Sequence, residues 1–329
     1  MKIVKGIFYS ILSLIAFFYI VAFFLPKTST MNYHIEIQAP ADIVYTQVNS
    51  LKNWDHWSAF KDHMIDLKTT YEGPEQGLGS ISKWTSKNEN GEMTITKTEA
   101  FGLIETQFDF YENGKGNGKW IFTEEDGQTK VDWQFTALDL SYPAGRWVGL
   151  FFESIMEPVF TKSLKSLKTY CESKDAWIGV KESTFHSTPI LYVNEQVKTK
   201  DINEFFTEAF ESLGSFLSSS DAQMTGAPLA IYYSFDYEKP ISVDACFPVS
   251  KAVEGKGEVQ FKVMPETKVV SYDYYGSYDK TELGHHILEK YMKQFELKQN
   301  GAPWESYLSD PSSEPNQSKW LTRIYYPIK

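Results

Sequence analysis

The sequence predicts an α+β protein in three parts. An N-terminal transmembrane helix leads into an antiparallel-sheet domain closed by one long helix, and a duplicated β-α-β-β domain follows. Three observations carry this. Residues 7–25 form an uninterrupted apolar run. Residues 69–140 alternate in the period of strands, with glycine-containing breaks, and an amphipathic helical run comes after them. Beyond 176, two segments repeat one another in element pattern and in turn residues. The expected limits are 1–27 for the anchor, 28–175 for the first domain and 176–329 for the second. The polar stretch Glu172–Ala176 forms the link.

Composition narrows the function classes. A chain of 329 residues with 42% hydrophobic and 23% charged residues has the balance of two ordinary globular domains. Its formal net charge of −11 disfavours nucleic acid as a partner, because a phosphate-binding surface needs a basic face. The 2 cysteines, Cys171 and Cys246, are too few for a disulfide-dense scaffold or a four-cysteine zinc site. Aromatic residues make up 16%, which suits apolar pockets as well as cores.

From Ile7 to Leu25 there is no charged side chain, and Pro26 ends the helix. At about 1.5 Å per residue this run nearly crosses a hydrocarbon layer about 30 Å thick. The alternative is a cleaved signal peptide. That would need a shorter apolar core and a small-x-small cleavage site, whereas Phe24-Leu25-Pro26-Lys27 follows here. Lys2 and Lys5 precede the run and Lys27 alone follows it closely. The positive-inside rule then gives a single-pass membrane protein with extracytoplasmic soluble domains.

In the first domain, Tyr33, Ile35 and Ile37 alternate as a strand, and Pro40 opens a short helix carrying Val44, Tyr45 and Val48. A second helical piece holds Trp54 and Trp57, expected as packing residues. Breaks at 73–79, 88–91, 113–118 and 126–128 divide 69–140 into about six strands. The closing helix is expected over Val148–Tyr170, with Phe152, Ile155, Met156, Val159, Phe160, Leu164 and Leu167 on its buried stripe and Pro158 as its start or a kink. Three strings carry a family likeness: Ile37-Gln38-Ala39-Pro40-Ala41, Asn53-Trp54-Asp55-His56-Trp57-Ser58 and Tyr71-Glu72-Gly73-Pro74. Over about 30–173 the chain resembles the SRPBCC (START-like, polyketide cyclase and lipid-transport) helix-grip superfamily. The resemblance implies an apolar ligand between sheet and long helix, and no catalytic signature.

In the second domain, Gly226-Ala227-Pro228-Leu229 recurs as Gly301-Ala302-Pro303-Trp304, and Phe247-Pro248-Val249 recurs as Tyr326-Pro327-Ile328. Each copy has the order strand, helix, Gly-Ala-Pro turn, strand. The helices are expected at Ile202–Leu217 and Lys280–Lys298. Two copies facing each other across a pseudo-twofold axis would enclose a groove. Tyr275-Gly276-Ser277-Tyr278-Asp279, the run Pro303-Trp304-Glu305-Ser306-Tyr307-Leu308-Ser309-Asp310-Pro311, and Trp320 to Ile328 resemble a GyrI-like (bacterial transcription activator effector-binding) domain over about 178–329. That resemblance implies a groove for small, often hydrophobic and cationic molecules, with Glu305 at a recurring ligand contact. Many relatives are fused to helix-turn-helix DNA readers. None is visible here and both halves are acidic, so a transcription-factor role is disfavoured.

Glu305 is the leading site residue: a carboxylate among aromatics can meet a cation by charge and by cation–π attraction. The first copy has Ala230 at the matching position, so neither turn nor strand requires the acid. Trp304, Tyr307, Tyr275 and Tyr325 are expected around it as ligand-binding residues. His56 and His63 are expected to be solvated, and His285-His286, adjacent on a helix, to point apart; no metal or cofactor is expected. Gly114 to Lys119 is expected to be a hairpin turn rather than a phosphate loop. Gly-x-Ser-x-Gly, His-Glu-x-x-His and Cys-x-x-Cys motifs are absent. The expected function is a membrane-anchored binding protein for small lipophilic or amphipathic molecules or lipids. One alternative is a hydrolase or cyclase with Glu305 as general base and Tyr275 polarising the electrophile. Another is an envelope interaction module with collapsed pockets.

Overall fold

The computed structural model describes residues 2–111, 114–234, 239–309 and 313–329. Asp310 and Pro311 of the Glu305 motif lie outside the described residues. The chain divides into two compact units, Met1–Trp177 and Ile178–Lys329.

The first unit opens with α1 (Lys2–Phe24), of which Lys5–Phe24 is long and apolar enough to cross a membrane. Strand β1 (Ser29–Ile37) follows, then α2 (Ala41–Asn49) and α3 (Trp54–Trp57). Strands β2 to β7 cover Lys68–Glu72, Ile81–Thr85, Asn90–Glu99, Leu103–Asp109, Lys115–Glu125 and Gln128–Leu138. They form an antiparallel half-barrel in the order β1-β7-β6-β5-β4-β3-β2. Two helices close it, α4 (Ala144–Gly149) and α5 (Phe152–Cys171).

The alternation of each strand sends its apolar set to one face. There Trp120 and Trp133 stack at 4.0 Å, Trp57 meets Trp120 edge-on at 5.8 Å, and Phe160 of α5 lies 4.4 Å from Trp133. Trp54 and Trp57 are packing residues, their indole N–H groups donating to the carbonyls of Val48 at 2.9 Å and Gln47 at 3.2 Å.

Three details of this unit differ from expectation. Gly116 and Gly118 belong to β6 rather than to a turn. A Cβ on Gly116 would come within 2.5 Å of the Phe135 ring, and one on Gly118 within 2.4 Å of Thr106 Oγ1, so these glycines make room for large side chains. The expected closing helix is broken at Leu150–Phe151, and Pro158 sits exposed within the second turn of α5 rather than starting it. Ile155, assigned to the buried stripe, is 57% exposed.

The second unit is one eight-stranded antiparallel sheet with two helices. Strands β8 (Val180–Phe185) and β9 (Thr188–Val197) precede α6 (Ile202–Ser218); β10 (Leu229–Tyr232) and β11 (Ile241–Pro248) complete the first copy. The second copy runs β12 (Gln260–Met264), β13 (Thr267–Tyr275), α7 (Glu282–Gln294), β14 (Trp304–Tyr307) and β15 (Leu321–Ile328). Helix α7 is thus shorter at both ends than expected. The spatial order β12-β9-β11-β10-β14-β15-β13-β8 is symmetric about the β10–β14 pair. The leading strand of each copy is exchanged: β8 pairs with β13 of the second copy, and β12 with β9 of the first. At the centre Ala230 pairs with Glu305, each facing its own counterpart in the repeat.

Because the two copies hold each other's edge strands, neither copy completes its sheet from its own strands. Residues 178–329 expressed alone are expected to unfold in one cooperative urea transition, and a fragment ending at 250 to stay unfolded, both read by circular dichroism. Cooperative folding of the 178–250 fragment would show that the copies are independent.

Candidate functional site

Antiparallel neighbours in register point to the same side of a sheet, so Glu305 shares a face with Ala230 and Ile324, and Tyr232, Tyr307 and Tyr326 follow by alternation. Helix α6 buries Phe205, Ala209 and Leu213 on this face, leaving Phe206 and Phe210 half-buried beside them. Helix α7 lies on the same face, over β13 and β15. Gly284 permits its approach: a Cβ there would lie 2.4 Å from Ile324 Cδ1.

Between the helices, over the β10–β14 junction, is a cavity of about 1340 Å³. Its floor is Tyr232, Glu305, Tyr307 and Tyr326, and Phe206, Phe210, Tyr278 and Leu283 line its sides. Phe206 and Phe210 stack at 5.7 Å, and Tyr278 meets the Tyr307 ring at 5.2 Å.

Glu305 is 3% exposed and receives three donors. Tyr307 OH donates to Oε2 at 2.9 Å, Tyr232 OH to the same oxygen at 3.2 Å, and His285 Nε2 lies 3.0 Å from Oε1. The other His285 nitrogen, Nδ1, is 3.0 Å from Tyr326 OH, and Tyr326 OH donates to Glu289 Oε1 at 3.2 Å. Burial and the adjacent Glu305 charge push the Tyr307 phenol well above its ordinary value, which keeps it a donor.

Acidic side chains outnumber basic ones around this floor. Asp279, Glu282, Glu289 and Glu305 line the cavity, and among the described residues that line it there is no lysine or arginine. Two basic side chains of the central sheet point to the other face. There Lys262 pairs with buried Asp244, and Arg323 Nη2 donates to Asp273 Oδ2 at 3.0 Å, holding the Asp273 carboxyl below its usual range.

The residues singled out from sequence do not all meet. Glu305 and Tyr307 are in the cavity. Trp304 and Tyr325 are on the opposite face of the sheet, stacked on each other at 5.1 Å with Phe185 against both. Tyr275 is 61% exposed at the end of β13 and is not among the lining residues. Tyr232, Tyr278, His285, Glu289 and Tyr326 belong to the site without having been foreseen. His285, expected to be unremarkable, is 8% exposed and links Glu305 to the Tyr326 hydroxyl. Its signal was phase: His285, Leu288 and Met292 share one buried stripe.

Comparison with known proteins agrees with this architecture. Residues 28–172 match the polyketide cyclase / dehydrase and lipid transport family, and residues 180–329 match the GyrI-like small molecule binding domain. The chain therefore carries a domain of each family in that order, and both are small-molecule-binding types. Among solved structures it is similar to the C-terminal domain of EcmrR, at 16% identity over 46% of this chain and 96% of that one, with a TM-score of 0.42. It is similar to a hydrolase from Listeria innocua at 14% identity over 46% of this chain and 91% of that one, TM-score 0.37. It is also similar to SAV2435 bound to tetraphenylphosphonium, at 12% identity over 46% and 93%, TM-score 0.37. No curated protein matches the chain significantly.

Removing His285 strands polar groups of Glu305 and Tyr326 away from water. His285→Leu is expected to lower stability by about 1–3 kcal/mol in urea denaturation, with Leu288→Met as a control expected to cost less. Equal stability of His285→Leu and the wild type would mean that the histidine is not a structural partner of the carboxylate.

Proposed function

We propose that the protein is a membrane-anchored binding protein for small lipophilic cations, which it holds in the cavity of its second domain. The observation that carries this is the charge of the lining: four carboxylates, with no lysine or arginine among the described lining residues, around an aromatic floor. A cation with apolar substituents gains ring contact from Phe206, Phe210 and Tyr278 and a charge interaction with Glu305. Such a pair is strengthened where water is excluded.

Glu305 already accepts from Tyr232, Tyr307 and His285, which fixes its position before a ligand arrives. A carboxylate held by three donors has its remaining lone pairs aimed in fixed directions, which suits it to meeting a cation at one place. An open cavity of about 1340 Å³ favours a binding role over a collapsed interaction module for this domain. Helix α1 supplies the anchor in this proposal, with its N-terminus in the cytoplasm by the Lys2 and Lys5 asymmetry and the domains outside.

The test is calorimetric titration of the chain and of Glu305→Gln with tetraphenylphosphonium and with neutral triphenylphosphine oxide. The substitution keeps the shape of the side chain and removes its charge. It is expected to weaken the cation at least about tenfold, about 1.4 kcal/mol, and to leave the neutral compound within about twofold. Equal cation affinity in both proteins removes Glu305 from the site. A loss shared equally by both compounds points to packing instead of charge.

A further inference from the structure

A segment of the first unit exposes more apolar surface than its packing explains. Val148 is 49% exposed, Leu150 50%, Phe151 62% and Ile155 57%, and Tyr142 beside them is 48% exposed. Scattered apolar side chains on a surface are ordinary. Five within 142–155 form a set, and that set is fastened to the end of α1.

The fastening is specific. Trp147 Nε1 donates to the Phe18 carbonyl at 3.1 Å, and its ring stacks on Phe18 at 5.5 Å with the planes 8° apart. Tyr142 OH donates to the Tyr19 carbonyl at 2.8 Å. Arg146 Nη1 donates to the carbonyls of Ala22 at 3.1 Å and Phe23 at 2.9 Å, two groups that the end of a helix leaves without an internal partner. A guanidinium there also meets the negative end of the helix dipole. Ser29 Oγ donates to the Gly149 carbonyl at 3.0 Å, tying the start of β1 to the same segment.

These bonds set a depth. Helix α1 ends at Phe24, and Phe18 lies about 9 Å before that end at about 1.5 Å per residue. A segment that reaches back to Phe18 overlaps the last part of any membrane span that α1 makes. The side chains that make the contact, Trp147, Tyr142 and Arg146, are of the types that favour the boundary between hydrocarbon and water.

We infer that residues 142–155 are a membrane-seated face of the first domain, set into the headgroup–acyl boundary of the bilayer that α1 crosses. Trp147 and Tyr142 lie at the boundary beside the last turns of α1, and Val148, Leu150, Phe151 and Ile155 enter the upper acyl region with them. This rests on the reading of α1 as a membrane span. The occupant is lipid because the exposed set continues the lipid-facing surface of α1, where Phe17 and Phe24 are 61% and 79% exposed. A soluble partner or a second copy would have to wedge between this segment and the bilayer to cover it. Exposed Glu153 lies within the segment and exposed Glu157 just past it, so a zwitterionic surface suits it better than an anionic one.

The test uses the full chain in phosphatidylcholine vesicles. Cys171 and Cys246 are buried, so a new surface cysteine takes a thiol-reactive, environment-sensitive fluorophore selectively. Three variants are labelled separately: Phe151→Cys in the segment, Leu12→Cys in mid-span and Lys119→Cys on an exposed strand position. Lipids carrying a quencher high or midway on the acyl chain report depth. The label at 151 is expected to lose most of its emission with the shallow quencher, that at 12 with the deep quencher, and that at 119 with neither. Quenching at 12 without quenching at 151 overturns the seated face and leaves the anchor standing. Quenching at neither position overturns both. A label at 151 shielded from lipid quencher and from aqueous iodide alike shows a protein partner there and also overturns the inference.

Discussion

A carboxylate with 3% exposure in the middle of a sheet must be matched, and the geometry of the second domain follows from how Glu305 is matched. Two tyrosines reach it from its own face of β10 and β14, and a histidine reaches it from α7. The histidine can do so because Gly284, the residue before it, lets the helix settle against Ile324. The cavity between α6 and α7 lies directly above this acid and its donors.

The duplication explains why the charge is one-sided. Ala230 and Glu305 are counterparts in the repeat and direct neighbours across the pseudo-twofold axis, so a symmetric site would hold two acids or none there. Two carboxylates at directly opposed positions would repel or share a proton. An alanine beside a glutamate keeps one full charge and gives room above it. The exchanged edge strands β8 and β12 make the two copies one folding unit, which keeps the floor rigid at the point where the copies meet. Preorganisation of this kind lowers the ordering cost of binding.

Much of this was legible in the residues. The apolar run, the six strands after residue 68 and the repeat followed from pattern alone, while Glu305 was singled out as a carboxylate among aromatics and by the GyrI-like resemblance. What failed was orientation within elements. Trp304 is adjacent to Glu305 in sequence and Tyr325 lies on a neighbouring strand, yet alternate residues of a strand face opposite sides, and both belong to the Phe185 cluster. Tyr326, one residue on, faces the site. His285 was set aside because adjacent helical residues diverge, when its phase with Leu288 and Met292 marked it as the inward member of the pair. The glycines of β6 were taken for a turn because nothing local announces that Phe135 and Thr106, distant in sequence, occupy the space of their missing side chains. Partnerships across the sheet depend on register, which composition does not carry.

The sign of the ligand's charge is the deciding property of the proposed site. The most direct measurement is a calorimetric charge series on one scaffold. A triphenyl-substituted phosphonium, its neutral counterpart and its carboxylate counterpart are titrated into the unmodified chain at low and high salt. The cation is expected to bind tightest and the anion weakest, and the order is expected to survive high salt, because a buried charge is screened far less than an exposed one. Equal affinity across the series, or tightest binding of the carboxylate, would contradict it.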